Sequence, residues 1–534
     1  MARVTSARLR RGLSGLAITL ASAGLAVAQV RTESGVVEGT TSADGSIRVY
    51  KGVPYAAPPV GALRWQAPQP VAPWKGTRKA VTFGARCMQA PVFPDMIFRD
   101  EPSEDCLYLN VWTPAKSKGA LPVMVWIYGG GFQSGSASEP RQDGERLAGK
   151  GVVVVSMNYR VGVFGFFAHP ELTRESPHHA SGNYGLLDQV AALQWVQRNV
   201  AAFGGDPKSV TIFGESAGSL SVSALMASPL SQGLFHRAIG ESGAFFAAGP
   251  QTTAPKSLAA SEEAGSKYAQ TLGAESLAAL RAKPAADFLA GGPRSSWFWP
   301  NLDGYFMPKE AYAVYAAGAQ SHVPLLAGWN ADEIRGGVLL GGERPSAKSF
   351  VEQTRTRFPA DADALLKAYP AATDAEAVES AASLGSDLFI GYSTWKWVEM
   401  HAQTGRSPVY CYSFDRKIPV APDTKINGKP ATSADVGARH AGEIEYVFGT
   451  LDSVPKVTWD SVDGKLSDLM MSYWTNFARA GDPNGPGLPP WPVYGKDGGY
   501  KVQHLDGASS QAVPDARRTR YETLDAMTEK LRTK

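Results

Sequence analysis

Four short apolar runs stand out in a chain of otherwise mixed polarity. Val210-Thr211-Ile212-Phe213 is β-branched and aromatic, the composition of a buried strand. It leads straight into Gly214-Glu215-Ser216-Ala217-Gly218, and the Ala/Leu/Ser-rich stretch from Ser219 to Ser228 then reads as helix. Val123 to Tyr128 is a second buried strand, ending in Gly129-Gly130-Gly131-Phe132. Val323 to Gly328 predicts a third. A fourth runs from Val409 to Phe414, where alternation turns Cys411 inward. The stretch ending at His401 has the spacing of an amphipathic helix. No internal repeat, Pro/Ser-rich linker or charge block divides the chain, so the pattern predicts one large α/β body with long loops.

One apolar segment is of a different kind. Gly12 to Val27 follows Arg3, Arg8, Arg10 and Arg11 and ends in Ala26-Val27-Ala28. A basic start, a short apolar core and an A-x-A ending describe a secretory signal peptide spanning 1–28, cut before Gln29. The rival reading is a membrane anchor, but a stretch this short, rich in Gly, Ala and Ser, falls below the ~20 residues a spanning helix needs. Arg10-Arg11 leaves twin-arginine export open beside the general route. The segment also changes the charge. The full chain carries a formal net charge of +3, and removing four Arg and no acid brings it to −1. Neither value implies nucleic acid or an acidic membrane as partner.

The remaining 29–534 reads as a single domain. The full chain's 44% hydrophobic and 19% charged content, and its spread of 37 Pro and 56 Gly, are ordinary for a globular protein. Of three Cys, Cys87 and Cys106 lie near enough in sequence to close a small loop, worth about 3 kcal/mol by chain entropy. Cys411 reads as a buried, inert thiol. No Cys/His spacing resembles a metal site.

The strand, turn and helix around Ser216 give a G-x-S-x-G pattern the context that makes it informative. A turn that tight needs small residues at Gly214 and Gly218, and it leaves the Ala217 N–H facing the reacting carbonyl. A serine hydroxyl also needs an oxyanion hole and a base. The glycine run after the Val123 strand can supply backbone N–H groups without obstructing side chains. A phosphate cradle is the competing reading of such a loop, but the Lys-Ser/Thr ending of a P-loop is missing. Five of eight His follow the serine: His236, His322, His401, His440 and His504. His236 comes too early to leave room for an acid in between. His322 and His401 flank a strand and a helix as structural residues would, and His504 sits in a polar C-terminal stretch. His440, in a loop of small residues, is the best placed, although composition alone does not decide.

The order of motifs resembles the type-B carboxylesterases, which include cholinesterases, liver-type carboxylesterases and bacterial para-nitrobenzyl esterases. The resemblance runs through Lys51-Gly52-Val53-Pro54-Tyr55-Ala56, Glu104-Asp105-Cys106-Leu107-Tyr108-Leu109-Asn110, Asn158-Tyr159-Arg160 and Gly182-Asn183-Tyr184-Gly185-Leu186-Leu187-Asp188. It continues through Phe203-Gly204-Gly205-Asp206-Pro207 and the serine segment to Glu443-Ile444-Glu445-Tyr446-Val447-Phe448-Gly449. It implies an α/β-hydrolase fold, with a large, mostly parallel sheet flanked by helices and carrying loop and helical insertions. It further implies Ser216 as nucleophile, Glu333 as acid, His440 as base, and Gly130, Gly131 and Ala217 as oxyanion donors. Asp332 is the rival acid that spacing cannot separate from Glu333. The resemblance pairs Cys87 with Cys106 and implies acyl transfer from small-molecule esters without metal or organic cofactor.

Departures narrow the expectation. The loop Met88 to Asp105 holds Phe93 and Phe98 but lacks the tryptophan on which cholinesterases stack a choline cation, so a general or specialised carboxylesterase is favoured. Phe132, Phe245 and Phe246 are expected on the acyl side of the pocket, and Trp297, Phe298 and Trp299 near its mouth; core packing is the plainer reading of each. Glu215 and Glu443 are expected beside the site, either tuning His440 or held in structural hydrogen bonds. Two alternatives stay in view: a narrow esterase for a bulky phenolic, aromatic or toxin ester, and a binding protein of the same fold that has lost catalysis.

Overall fold

The computed structural model describes residue 1 and residues 29–93, 96–117, 119–247, 254–274, 276–292, 297–334, 344–426, 428–507 and 509–532. The expected leader, apart from Met1, lies outside the described residues.

Eleven strands form the central sheet. In chain order they are β1 (Thr40–Thr41), β2 (Ile47–Pro54), β3 (Tyr108–Pro114), β4 (Leu121–Ile127), β5 (Val153–Met157), β6 (Gly205–Glu215), β7 (Arg237–Glu241), β8 (Leu325–Asn330), β9 (Val409–Phe414), β10 (Lys501–Leu505) and β11 (Gln511–Pro514). Their spatial order is β1-β2-β3-β5-β4-β6-β7-β8-β9-β10-β11, so only β4 and β5 exchange places. The run from β5 to β10 is parallel throughout. The β1-β2-β3-β5 edge and β11 are antiparallel. Parallel strands need crossovers, and the helices that make them cover both faces. The strands accordingly read as continuous apolar runs.

That explains one of three differences from the sequence reading. All six residues of β9 are buried, so its alternation does not mark a solvated face. The strand expected from Val323 begins at Leu325, because Pro324 has no N–H to give the ladder, and extends to Asn330 opposite Phe414. His504, read as part of a polar tail, lies on β10 beside Ser413 of β9.

Helices cover both faces of the sheet, among them two on one face and one on the other that bracket the serine strand. On the first are α1 (Ala217–Ala227) and α2 (Tyr392–Thr404). A Cβ added to Gly240 would strike the Trp397 ring of α2 and the Ser219 hydroxyl of α1. Neighbouring Glu241 points the other way, to Trp474 of α3 (Ser461–Ala480). The buried positions Leu466, Met470, Tyr473, Trp474 and Phe477 follow helical spacing. Asp460 caps α3 by accepting from the Val462 and Asp463 N–H groups, and Gly481, at φ 74°, ends it in the left-handed conformation. A fourth helix, α4 (Arg518–Arg532), closes the chain against α2. Cys87 and Cys106 are joined in a disulfide. Cys411 is buried, and desolvation pushes its thiol well above the ordinary range. Among the described residues no helix is long and apolar enough to cross a membrane.

Candidate active site

The carboxyl ends of the parallel strands are the side of an open α/β sheet where ligands bind, and the candidate residues gather there. β6 ends at Glu215, and Ser216 follows at φ 55°, ψ −118°, a conformation L-residues rarely adopt, before α1 begins at Ala217. The turn is held by the Ser216 N–H donating to the Glu241 carbonyl at 2.8 Å. It must be narrow, because a Cβ on Gly218 would lie 1.9 Å from the Ile127 carbonyl oxygen and one on Gly214 2.5 Å from it. Four of the eight described non-glycine residues with positive φ are Phe132, Ser216, Ser242 and Ala441, all in this region. Such strain costs of order 1–3 kcal/mol per residue and gathers where function constrains the backbone.

The glycine run follows β4. Gly130 sits at φ 98°, where a Cβ would strike the Ser134 carbonyl at 2.0 Å, and its own carbonyl accepts the N–H groups of Gln133 and Ser134. Among the described residues no protein acceptor takes the N–H of Gly130, Gly131 or Ala217. All three residues line the same cavity as Ser216 and His440.

Beyond β8, the Asp332 N–H and carboxylate clasp Ala438, with N–H to carbonyl and carboxylate to N–H distances both 3.0 Å, and Asn330 Nδ2 donates to the Arg439 carbonyl. This pins the histidine loop to the end of the strand. Glu333, the next residue, turns inward and accepts from the Asn330 N–H with Oε1, while its Oε2 lies 2.6 Å from His440 Nδ1. Glu333 therefore contacts the imidazole, and Asp332 holds the loop that carries it. No hydrogen bond engages Ser216 Oγ among the described residues. His440 Nε2 lies 3.2 Å from Glu215 Oε1, and the ring meets Phe389 edge to face with centroids 5.1 Å apart. Catalytic hydrogen bonds are commonly long before substrate binds.

Buried carboxylates crowd this corner. Glu443 Oε2 accepts from Asn330 Nδ2 at 2.6 Å, and Glu241 accepts from Trp474 Nε1 at 2.7 Å. Among the described residues Glu241 Oε2 and Glu443 Oε1 have no hydrogen-bonded partner, and Glu215 Oε1 has only its ion-pair contact with His440. Desolvation, reinforced by mutual repulsion, raises the pKa of all three above the usual carboxylate range. Burial by itself disfavours the His440 cation, but Glu215 and then Glu333 more than offset it and raise the imidazole to about 9. Glu215 is the largest of those upward pulls on the imidazole.

The cavity holds about 830 Å³. Trp297, Phe298 and Trp299 line it. The expectation that Phe132, Phe245 and Phe246 also line it is corrected. Phe132 stacks on Phe245 at 6.0 Å and meets Trp299 and Phe166 edge-on, one layer behind the wall, while Phe246 packs on Tyr315. All three are fully buried because apolar rings contribute more in the dry layer between loop and helix than at a wet surface. Phe93 and Met96 of the disulfide loop also reach the cavity. So do the buried Glu139–Arg141 ion pair and Leu388, Phe389 and Ile390. Nothing in sequence marked the last three, since a Leu-Phe-Ile run in a helical stretch reads as core. The Glu139–Arg141 pair did have a signal, two charges in the Ser-rich loop just after the glycine run.

A profile of the carboxylesterase family matches residues 26–523. The fumonisin B1 esterase of Sphingopyxis macrogoltabida is 37% identical over 495 residues, covering 88% of this chain and 84% of the relative. The liver carboxylesterase of Sus scrofa is 37% identical over 504 residues, covering 85% and 84%. The para-nitrobenzyl esterase of Bacillus subtilis (strain 168) is 36% identical over 485 residues, covering 87% and 92%.

Proposed function

The chain belongs to the carboxylesterase family and is a carboxylic ester hydrolase with the α/β-hydrolase fold, and from that premise we propose that it is an exported serine esterase working through an acyl-enzyme on Ser216. His440 takes the Ser216 proton as Oγ attacks the ester carbonyl. The N–H groups of Gly130, Gly131 and Ala217 receive the oxyanion, where each such donor contributes about 2.7–4 kcal/mol of transition-state stabilisation. His440 then protonates the departing alcohol, and water repeats the sequence to release the acid. Glu333 holds the Nδ1 tautomer and stabilises the imidazolium. The observation that carries this reading is that Ser216, His440 and the residues Gly130, Gly131 and Ala217, whose N–H groups have no protein acceptor among the described residues, line one cavity.

Export and domain organisation belong to the same proposal. Residues 1–28 act as a cleaved signal and 29–534 fold as one domain. The Cys87–Cys106 disulfide suits an oxidising compartment. N-terminal sequencing of exported material is expected to begin at Gln29, and a start upstream would refute cleavage there.

The cavity volume favours bulky esters, since about 300–1,000 Å³ accommodates a drug-sized ligand. The similarity to a fumonisin B1 esterase puts toxin esters in the test panel beside phenolic and aromatic esters. The first experiment is para-nitrophenyl butyrate turnover by the purified chain and its Ser216→Ala variant. Turnover by the first and none by the second is expected; equal turnover would end the serine reading. A kcat/KM panel of acyl and alcohol groups then ranks substrates.

A further inference from the structure

Among the cavity walls one segment has unusual backbone and unusually broad reach. Asp387–Gly391 is a π-helical turn joining the helix Asp374–Ser386 to α2. A π-turn inserts one residue into a helix, disrupts its hydrogen-bond ladder and is frequent at functional sites. Here the freed Ile390 carbonyl is satisfied by the Ser393 and Thr394 hydroxyls, both at 3.0 Å.

The turn touches the surroundings of all three proposed catalytic residues. At its start, the Ser386 hydroxyl accepts the Ile334 N–H and donates to the Ile334 carbonyl, each at 3.1 Å, fixing the residue after Glu333. In its middle, Phe389 packs on the His440 imidazole. Near its end, Ile390 Cδ1 would lie 3.2 Å from a Cβ on Gly243, the glycine whose Cβ would also meet the Ser216 carbonyl oxygen at 2.7 Å.

A buried carboxylate anchors it. Asp387 Oδ2 accepts from the Tyr369 hydroxyl at 2.8 Å and lies 3.4 Å from Arg520 Nε of α4, with the Asp387 side chain 3% exposed. The Arg520 guanidinium also lies over the Tyr369 ring at 5.3 Å. Tyr521 of the same helix backs the other end, its hydroxyl 3.2 Å from a Cβ placed on Gly391. Removing this buried carboxylate leaves Tyr369 without its acceptor and Arg520 without its ion-pair partner, so the turn loses its only charged tether among the described residues.

We propose that the π-helical turn is a strut setting the His440 imidazole against Ser216 and Glu333, that Asp387 is its positioning residue, and that the C-terminal helix is thereby coupled to the reaction. This rests on the serine-esterase reading above. Asp387 touches no reacting atom. It acts by holding Phe389 against the imidazole and Ser386 against the strand end that carries Glu333.

The test uses the full chain with para-nitrophenyl acetate, kcat being counted per site titrated to completion with a fluorophosphonate, so that unfolded material is not scored. Asp387→Ala and Phe389→Leu are expected to lower kcat per site about tenfold or more with KM within about twofold, because a misplaced base is felt in the transition state rather than in binding. Asp387→Asn keeps an acceptor for Tyr369 and is expected to recover most of the rate. Should Asp387→Ala fail to fold, Tyr369→Phe, which deletes a single hydroxyl, is expected to show the same kcat loss on a smaller scale. Native kcat per site in Phe389→Leu and Tyr369→Phe, or a loss confined to KM, overturns the proposal and makes the turn a wall of the substrate pocket. If the native chain turns over ester but the fluorophosphonate does not label Ser216, the underlying reading falls and the proposal falls with it.

Discussion

Among the described residues two histidines hold a carboxylate at Nδ1. His440 lies 2.6 Å from Glu333 Oε2, and His504 lies 2.5 Å from Asp415 Oδ2. Each acid follows a central strand, β8 in one case and β9 in the other. Each region even has a serine, for the Ser413 hydroxyl donates to Asp415 at 2.7 Å. Solvent exposure does not separate them, with imidazole side chains 23% and 32% exposed. What separates them is everything around the pair. Ser413 lies within strand β9 and spends its proton on the acid. Ser216 sits in a strained turn with no such bond among the described residues, and it lines one cavity with His440, Gly130, Gly131 and Ala217. An acid–histidine pair is thus a common structural unit, and the strained serine and open donors make one of the two a candidate for chemistry.

The comparison breaks most sharply by truncation. Ser216→Ala or His440→Ala is expected to lower kcat for para-nitrophenyl butyrate about 10⁴-fold or more. His504→Ala is expected to keep kcat within about twofold and to shift stability by at most about 1 kcal/mol, as a half-exposed ion pair would. Loss of turnover in the His504 variant with a normal melting curve would mean the wrong pair was chosen.

The acids extend the test. Glu333→Gln is expected to cost about 10³–10⁴-fold in kcat, because the imidazole loses its tautomer control. Asp415→Asn should leave kcat near native. Asp332→Asn should weaken the clasp on Ala438 and cost less than Glu333→Gln; the reverse order would assign the acid role to Asp332.

A third prediction concerns the carboxylate that His504 lacks. Glu215 stabilises the His440 cation and so raises its pKa. Glu215→Gln removes that charge, lowers the imidazole pKa and frees the base at lower pH. The acid limb of the kcat/KM profile is therefore expected to move down by about one pH unit. An acid limb that stays put or moves up would show that Glu215 does not act on the base through charge.

The smallest expected effect is on stability. Glu241 is buried beside the serine turn with its pKa raised well above the usual range, chiefly by desolvation. Its carboxyl stays neutral when folded but ionises when unfolded above its ordinary pKa, so its contribution to stability is fully present below that value and is lost as pH rises towards the folded pKa. Glu241→Gln mimics the neutral form. It is expected to gain about 1 kcal/mol or more at pH 8 in denaturant melts and almost nothing at pH 4. Equal gains at both pH values would show that packing rather than ionisation is responsible.

Local chemistry along the chain determines much of this protein. The β-branched strand, the glycines flanking Ser216 and the helix after it are legible because a turn that tight admits few residue types, and periodicity shows where a strand yields to a helix. The same holds for the glycine run after β4 and, through the ordered motifs, for the family. Other features depend on contacts between segments far apart in the chain. Asp332 and Glu333 are adjacent and chemically alike; only the path of the chain beyond β8 sends one to Ala438 and the other to His440. Phe132, Phe245 and Phe246 have the character of pocket residues, yet layer packing buries the first two against Trp299 and the third against Tyr315, and the wall falls to Phe389 and its neighbours on a π-turn. His504 reads as part of a polar tail, and strand pairing sets it beside Ser413. A sequence can state which residues a turn requires, but the partner across a sheet edge and the depth of a ring behind a wall arise only when non-local strands and helices are packed together.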